Sequence, residues 1–414
     1  MVSVRTVPAT DREQFDRILR YAFAPQRGPT DGDDRDGRGG DSDTTGGDSD
    51  DDWPPSLWEP RGVYDDDTLC STAKLYTPPA TIRGRETSVA AIGGVATLPE
   101  HRTRGHVRRL LADTVERYRA DGVEFAALWA FSTPFYERLG WATAYSYTEV
   151  TTPPAELPAH DAAGDLRRLD ADDWQRLSRA AARNDEGATF TVRRTETWWR
   201  ERVFDDEGWQ DVPYCYGYER DGDLVGALLY HVDGGETTTL RVQNLLTADE
   251  EARRALLSFL GNHGAQVESV LLRGEPDAEL LTRLDDPGPA SCELRRGPMV
   301  RLTELSALEH FAWPGAVDCR LAVTDPLGVA DGLVRLRVAD GEATVERLND
   351  VSEGTESDDA DATVGVGTLS QLAVGTHDVA TARRVGDLSV RTDGVAAALD
   401  DVFRPGAVRL RQFF

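Results

Sequence analysis

The stretch from residue 91 to 141, AIGGVATLPEHRTRGHVRRLLADTVERYRADGVEFAALWAFSTPFYERLGW, admits few backbone arrangements. An apolar run leads into HRTRG, after which Val107, Leu110, Leu111, Val115 and Tyr118 recur at helical spacing. The pattern predicts a strand, a tight turn and an amphipathic helix that starts near Gly105. Asp121-Gly122 ends that helix, residues 125–130 read as a buried strand, and a short turn then delivers Phe135 and Tyr136. The first N–H groups of such a helix have no intrahelical partner and carry the positive end of its dipole. Gly105 allows close approach, and Arg102, Arg104, Arg108 and Arg109 add charge, so the turn suits an anion.

The remainder divides into strand-rich units. Residues 2–7 alternate like a strand and 11–23 suit an amphipathic helix, followed by an acidic stretch, 27–52, with no apolar residue beyond Pro and Gly. That stretch is expected to be a disordered loop. Strands are expected at 68–76 and 87–97. After a Thr, Pro, Ala and Gly-rich linker, a second unit shows strands at 214–218, 224–231 and 238–246, then a helix with a Thr247-x-x-Glu250 capping box. Its helix start carries Asp249, Glu250 and Glu251, which oppose an anion there. A third unit from residue 298 has alternating strands around an Asp340-Gly341 hairpin turn, a second acidic loop at 352–361 and three short helices.

Composition narrows the classes. A chain of 414 residues holds two to four domains. A net charge of −27 argues against sequence-independent nucleic-acid binding. No apolar run reaches membrane-spanning length and the opening residues lack a secretory layout, so a soluble, cytoplasmic protein is expected. Cys70, Cys215, Cys292 and Cys319 are scattered, and His101 and His106 lie on different faces, so neither a disulfide framework nor a metal site is indicated. Lys74 is the only lysine; all other basic side chains are arginine. This acidic, lysine-poor composition is similar to proteins of salt-loving archaea. In molar salt the Debye length is about 3 Å, so an anionic cofactor would be held by contact-range groups such as those of the HRTRG turn.

The motif Arg102-x-x-Gly105, between a strand and a helix, resembles the pyrophosphate-binding turn of GNAT acetyltransferases, with Val107 at its last position. The segment AALWAFSTPFYERLGW resembles that of the Eis-like members of the family, and the motifs DPLG and VGTLSQLAVG resemble the sterol carrier protein-like domain that closes Eis-like chains. The resemblance implies an α/β (α+β) fold: an N-terminal GNAT domain over 1–150, a central GNAT-like domain without CoA over 151–297, and a sterol carrier protein-like domain over 298–414. It implies acetyl-CoA as acyl donor, no metal, and a homo-oligomer, hexameric as in relatives. Val95, Ala96 and Thr97 would hold the thioester and pantetheine, and Arg102, Thr103, Arg104, Gly105, His106, Val107 and Arg108 the pyrophosphate. Tyr136 falls on the family's general acid and Phe414 on the terminal residue whose α-carboxylate is its general base. An α-carboxyl titrates at about 3.3 to 3.7, so an apolar surround is required for that role. Trp58, Phe131 and Phe413 are expected to face the acceptor, a primary amine of a small molecule, aminoglycoside-like or another polyamine. A protein lysine or N-terminal acetyltransferase, and a non-catalytic acetyl-CoA- or lipid-binding protein, remain open alternatives.

Overall fold

The apolar runs of the first unit pair into a seven-stranded sheet in the order Val2–Thr6, Glu59–Asp65, Thr68–Tyr76, Ala90–Thr97, Phe125–Leu128, Met299–Leu302 and Ala142–Thr143. The computed structural model describes residues 1–25, 53, 56–205, 212–235, 237–348 and 360–414. The expected acidic loops at 27–52 and, but for its last two residues, 352–361 lie outside the described residues. The helix Arg12–Phe23 turns Phe15, Ile18 and Leu19 into the core, and His106–Ala120 turns Leu110, Leu111, Val115 and Tyr118 inward, as their spacing requires.

Only three residue pairs join the parallel strands at the centre of this sheet: Ala90 with Ala126, Ala91 with Ala127 and Ile92 with Leu128. Beyond them the strand Ala90–Thr97 continues without a partner on that side, so the sheet opens. On its other side Thr72 pairs with Ala96 but Lys74 with Gly93, leaving Ala73 opposite both Gly94 and Val95. Gly94 meets this bulge with φ 58°, a left-handed conformation favoured by the missing Cβ. The bulge bends the strand away from its neighbour just where the gap begins. The expected continuous strand over 87–97 is broken at Val89: Arg85–Ser88 pairs with Pro79–Ile82 instead.

A second seven-stranded sheet follows the order Asp165–Arg168, Tyr214–Arg220, Asp223–Asp233, Thr239–Thr247, Ser269–Gly274, Ser146–Thr152 and Ser291–Arg296. Strands cross the expected divisions at 150/151 and 297/298: Ser146–Thr152 belongs to the second sheet, and Met299–Leu302 returns to the first. The helix Glu250–Gly261 is capped by Asp249, whose side chain accepts from Ala252 N at 2.8 Å, and not by Thr247. Thr247 is unavailable because it is still the last residue of a strand.

The third unit forms a five-stranded sheet, Glu342–Arg347, Gly332–Ala339, Val317–Thr324, Ala362–Gly365 and Ser389–Val390, with helices Val366–Val374, Val379–Val385 and Asp393–Val402. Asp340 and Gly341 turn its hairpin with φ 55° and 88°, as two left-handed residues in a tight turn must. It is joined to the first unit by an ion pair with no exposed side-chain surface, Arg301 Nη2 to Asp325 Oδ2 at 2.7 Å. Arg301 Nη1 also donates to Leu139 O at 2.7 Å, and Asp325 accepts from the N–H groups of Leu327, Val329 and Ala330. A small four-stranded sheet draws on all three regions: Val408–Arg409, Phe190–Val192, Pro79–Ile82 and Arg85–Ser88. It carries the end of the chain back to the first sheet.

Candidate active site

The turn before His106–Ala120 holds two left-handed residues, Thr103 with φ 61° and Gly105 with φ 78°. Gly105 is the N-cap but has no side chain to occupy the helix N–H groups, and the first turn contains no acid. The site therefore keeps its donors and positive dipole end for an external anion. A groove of about 790 Å³ opens against it, lined by Val95, Ala96, Thr97, Arg102, Thr103, Gly105, His106, Val107 and Arg108. Of the ten residues expected to bind the cofactor, Arg104 alone is not in the lining.

Arg102 is oriented by its Nε bond to Thr97 O at 3.1 Å, and Arg108 by a bond from Nη2 to Pro326 O of the DPLG turn. The third unit thus braces one wall of the groove. Burial, then the neighbouring His101, pulls the His106 imidazole below its usual range, favouring the neutral ring. Its Nε2 is buried without a protein partner among the described residues.

On the far side of the groove stand Phe131, Phe135, Arg138 and Leu139. The helix Thr133–Glu137, with Ser132 at its N-cap position, carries Tyr136, which packs on Phe131 and Phe135 and is not itself in the groove's lining. Tyr136 is 1 % exposed, and its ring lies 5.3 Å from that of Phe131 and 5.2 Å from that of Phe135. Burial alone raises its phenol above the ordinary value of 10.0. Such a group stays protonated and can donate at neutral and alkaline pH. Phe135, Arg138 and Leu139 were detectable in the sequence, since they share the FYERLGW segment with Tyr136.

The chain's last residues run to the open part of the sheet. Val408–Arg409 pairs in parallel with Phe190–Val192; then Tyr145 OH donates to Leu410 O at 3.0 Å and Trp129 Nε1 to Gln412 O at 2.7 Å. Phe414 is 6 % exposed, its ring 6.4 Å from that of Tyr76 and 6.2 Å from that of Trp198. Its carbonyl carbon and oxygen press on Gly93, where a Cβ would stand 2.5 and 2.6 Å from them. Phe414 therefore meets the strand Ala90–Thr97 two residues before Val95, inside the splay.

The three residues expected to face the acceptor are not brought together. Phe131, 68 % exposed, borders the groove, while Phe413, 57 % exposed, lies 5.5 Å from Trp129 and lines a separate cavity of about 320 Å³. Trp58 lines neither: it stacks on Phe15 at 5.7 Å, with Lys74 Nζ 4.0 Å from its ring. An aromatic residue in sequence carries no mark of whether it packs inward or outward, and Phe15 captures this one.

In the second unit the equivalent helix start is already filled. Arg220 bonds both Asp249 and Glu251, and Tyr218 OH donates to Glu251. Acid side chains occupy the space an anion would need. Among the described residues no cluster of metal-ligating side chains is present.

Residues 3–144 match the acetyltransferase (GNAT) domain, 191–302 match a second acetyltransferase (GNAT) domain, and 305–410 match the sterol carrier protein domain. An uncharacterized N-acetyltransferase of Streptomyces avermitilis is 26 % identical over 363 residues, covering 83 % of this chain and 85 % of its own. One of Streptomyces griseus is 27 % identical over 378 residues, covering 84 % and 86 %. The fold is shared with a probable N-acyltransferase of Enterococcus faecalis, TM-score 0.83 at 20 % identity, and with Eis1 of Mycobacterium abscessus, TM-score 0.71 at 19 % identity, each covering both chains fully. With two GNAT domains, a closing sterol carrier protein-like domain and a free helix N-terminus suited to the acetyl-CoA pyrophosphate, the chain is a GNAT-family N-acetyltransferase that uses acetyl-CoA as its acyl donor.

Proposed function

We propose that the enzyme acetylates a primary amine of a small molecule by direct attack on the thioester, in the manner of Eis-like enzymes. The observation that carries this reading is the Phe414 carboxyl lodged against Gly93, on the same strand as Val95 and Thr97. Backbone N–H groups of Val95 and Thr97 orient the thioester, and those from Arg102 to Val107, with the Arg102 and Arg108 side chains, hold the pyrophosphate. The Phe414 carboxylate takes the proton of the incoming ammonium, and the aromatic walls of Tyr76 and Trp198 supply its apolar surround. Tyr136 donates its phenolic proton to the departing thiolate, whose conjugate thiol has an ordinary pKa of about 8.5. By the same resemblance the protein is a homohexamer of a salt-adapted cytoplasm, which gel filtration in molar salt checks.

The deciding experiment follows CoA release with a panel of amines for the full chain, for Tyr136→Phe and for a form extended by one residue after Phe414. Loss of turnover in both variants, with acetyl-CoA binding retained, is expected. Undiminished turnover in both would falsify the assigned roles.

A further inference from the structure

The smaller cavity, about 320 Å³, lies between the strands Asp223–Asp233 and Thr239–Thr247 and the chain's end, with Trp198, Gln412 and Phe413 in its wall. Five arginines line it, Arg194, Arg202, Arg241, Arg273 and Arg411, against the acids Glu201 and Asp205, although the chain as a whole carries −27. Three of the five are neutralised: Arg241 by Asp233, Arg273 by Glu149 and Arg411 by Asp185. Arg194 and Arg202 have no carboxylate within ion-pair distance among the described residues. Arg194 donates to the Asn244 amide oxygen at 2.7 Å and lies 4.6 Å from the Trp199 ring, and its Nε is sealed from solvent with no partner among the described residues. Among the described residues Arg202 reaches only Phe413 O, at 3.5 Å.

A desolvated guanidinium without a counter-anion is unfavourable, and an external oxyanion relieves it. Burial draws Arg194 down to about 10, so it is still charged at neutral pH. The same wall holds the complementary vacancy. Gln412 is buried; its Nε2 is spent on Val192 O at 2.6 Å, while its Oε1 has no partner among the described residues and can accept from an N–H group. Gln412 is two residues from Phe414, the proposed base.

We infer that this cavity is the recognition end of the acceptor site, and that the acceptor is a primary amine carrying an oxyanion, a carboxylate or a phosphate, held by Arg194 and Arg202. This rests on the acetyl-transfer reading above and departs from the expected polycation: Glu201 and Asp205 share the wall, but among the described residues neither pairs with Arg194 or Arg202, which are left to meet an oxyanion.

The test compares kcat/KM of the full-length enzyme for β-alanine, phosphoethanolamine, ethanolamine and spermidine at saturating acetyl-CoA. At least one oxyanion-bearing amine is expected to exceed ethanolamine by about 100-fold, the worth of a charged hydrogen-bonded contact. The better of the two identifies the anion. That advantage should vanish through KM in Arg194→Gln and shrink by about tenfold in Arg202→Ala, with KM for acetyl-CoA unchanged. Arg202→Ala is the decisive variant if Arg194→Gln does not fold. Spermidine as the best acceptor, or equal use of ethanolamine, overturns the inference. If no amine is acetylated the acetyl-transfer reading has failed, and calorimetry decides the pocket alone: saturable binding of β-alanine or phosphoethanolamine lost in Arg202→Ala supports it, and absence of binding overturns it.

Discussion

The main-chain carbonyl carbon and oxygen of Phe414 rest on the Cα of Gly93, with no room between them for a methyl group. Gly93 has ordinary backbone angles, so the requirement for glycine is close approach and not a left-handed turn. In Gly93→Ala the added carbon displaces the carboxyl from the splay while leaving the pyrophosphate turn untouched. Turnover should fall by about 100-fold or more, as for loss of a positioned base, while the Kd for acetyl-CoA by calorimetry stays at its original value. Normal turnover would remove Phe414 from the mechanism.

Tyr136 gives a pH signature. Because burial raises its phenol above 10.0, the acid form persists where an exposed tyrosine would ionise. The alkaline limb of kcat should therefore not report a tyrosine at its ordinary value, and activity should hold to pH 10. Tyr136→Phe should lower kcat by about 10²- to 10⁴-fold, with little effect on either KM. Steady-state pH profiles of both forms measure this.

The left-handed turn at Gly105 has nothing among the described residues within 4 Å of a would-be Cβ, so an alanine there meets a conformational cost alone. Holding a non-glycine residue at φ 78° costs about 1–2 kcal/mol. If the turn relaxes to avoid that cost, its N–H groups leave the groove. Gly105→Ala should weaken acetyl-CoA binding by about tenfold, read as a rise in its Kd, with kcat nearly unchanged.

Arg301 and Asp325 make a stability prediction. Breaking one partner of a buried pair costs about 3–5 kcal/mol, so Asp325→Ala should lower the urea midpoint clearly. Burial alone would raise the Asp325 carboxyl, but Arg301 and the N–H groups of Ala330 and Leu327 outweigh it and hold the group low. A depressed carboxyl contributes stability that is present above the unfolded value, about 3.9, and is lost as pH falls through the folded one. Urea unfolding between pH 7 and pH 3 should show a stability loss at the acid end that is smaller in Asp325→Ala.

Much of the groove at Gly105 was legible in the chain as local structure, because its parts are local: a strand, a glycine turn and a helix within residues 90–120 carry their own periodicity. Pairings between distant segments were not. Nothing in residues 299–302 marks them as a strand of the first sheet, since an apolar alternation specifies a buried face and not a neighbour. The basic cavity was hidden for the same reason, as Arg194, Arg202 and Gln412 meet only through the small sheet that returns the chain's end. Trp58 shows the limit for single residues, because its burial was decided by the helix face that happened to carry Phe15.

The cation–π contact between Lys74 and Trp58 has a bearing on the enzyme's own durability. An acetyl thioester acylates any uncharged, accessible amine nearby, and protein lysines are its usual victims. Here the sole lysine of the chain has its ammonium over an indole ring, and every other side-chain cation is a guanidinium, which does not deprotonate and is a poor nucleophile. A surface whose basic side chains are arginine but for Lys74 lets the protein keep its ion pairs beside a reactive acyl donor with little side-chain amine to lose to self-acetylation.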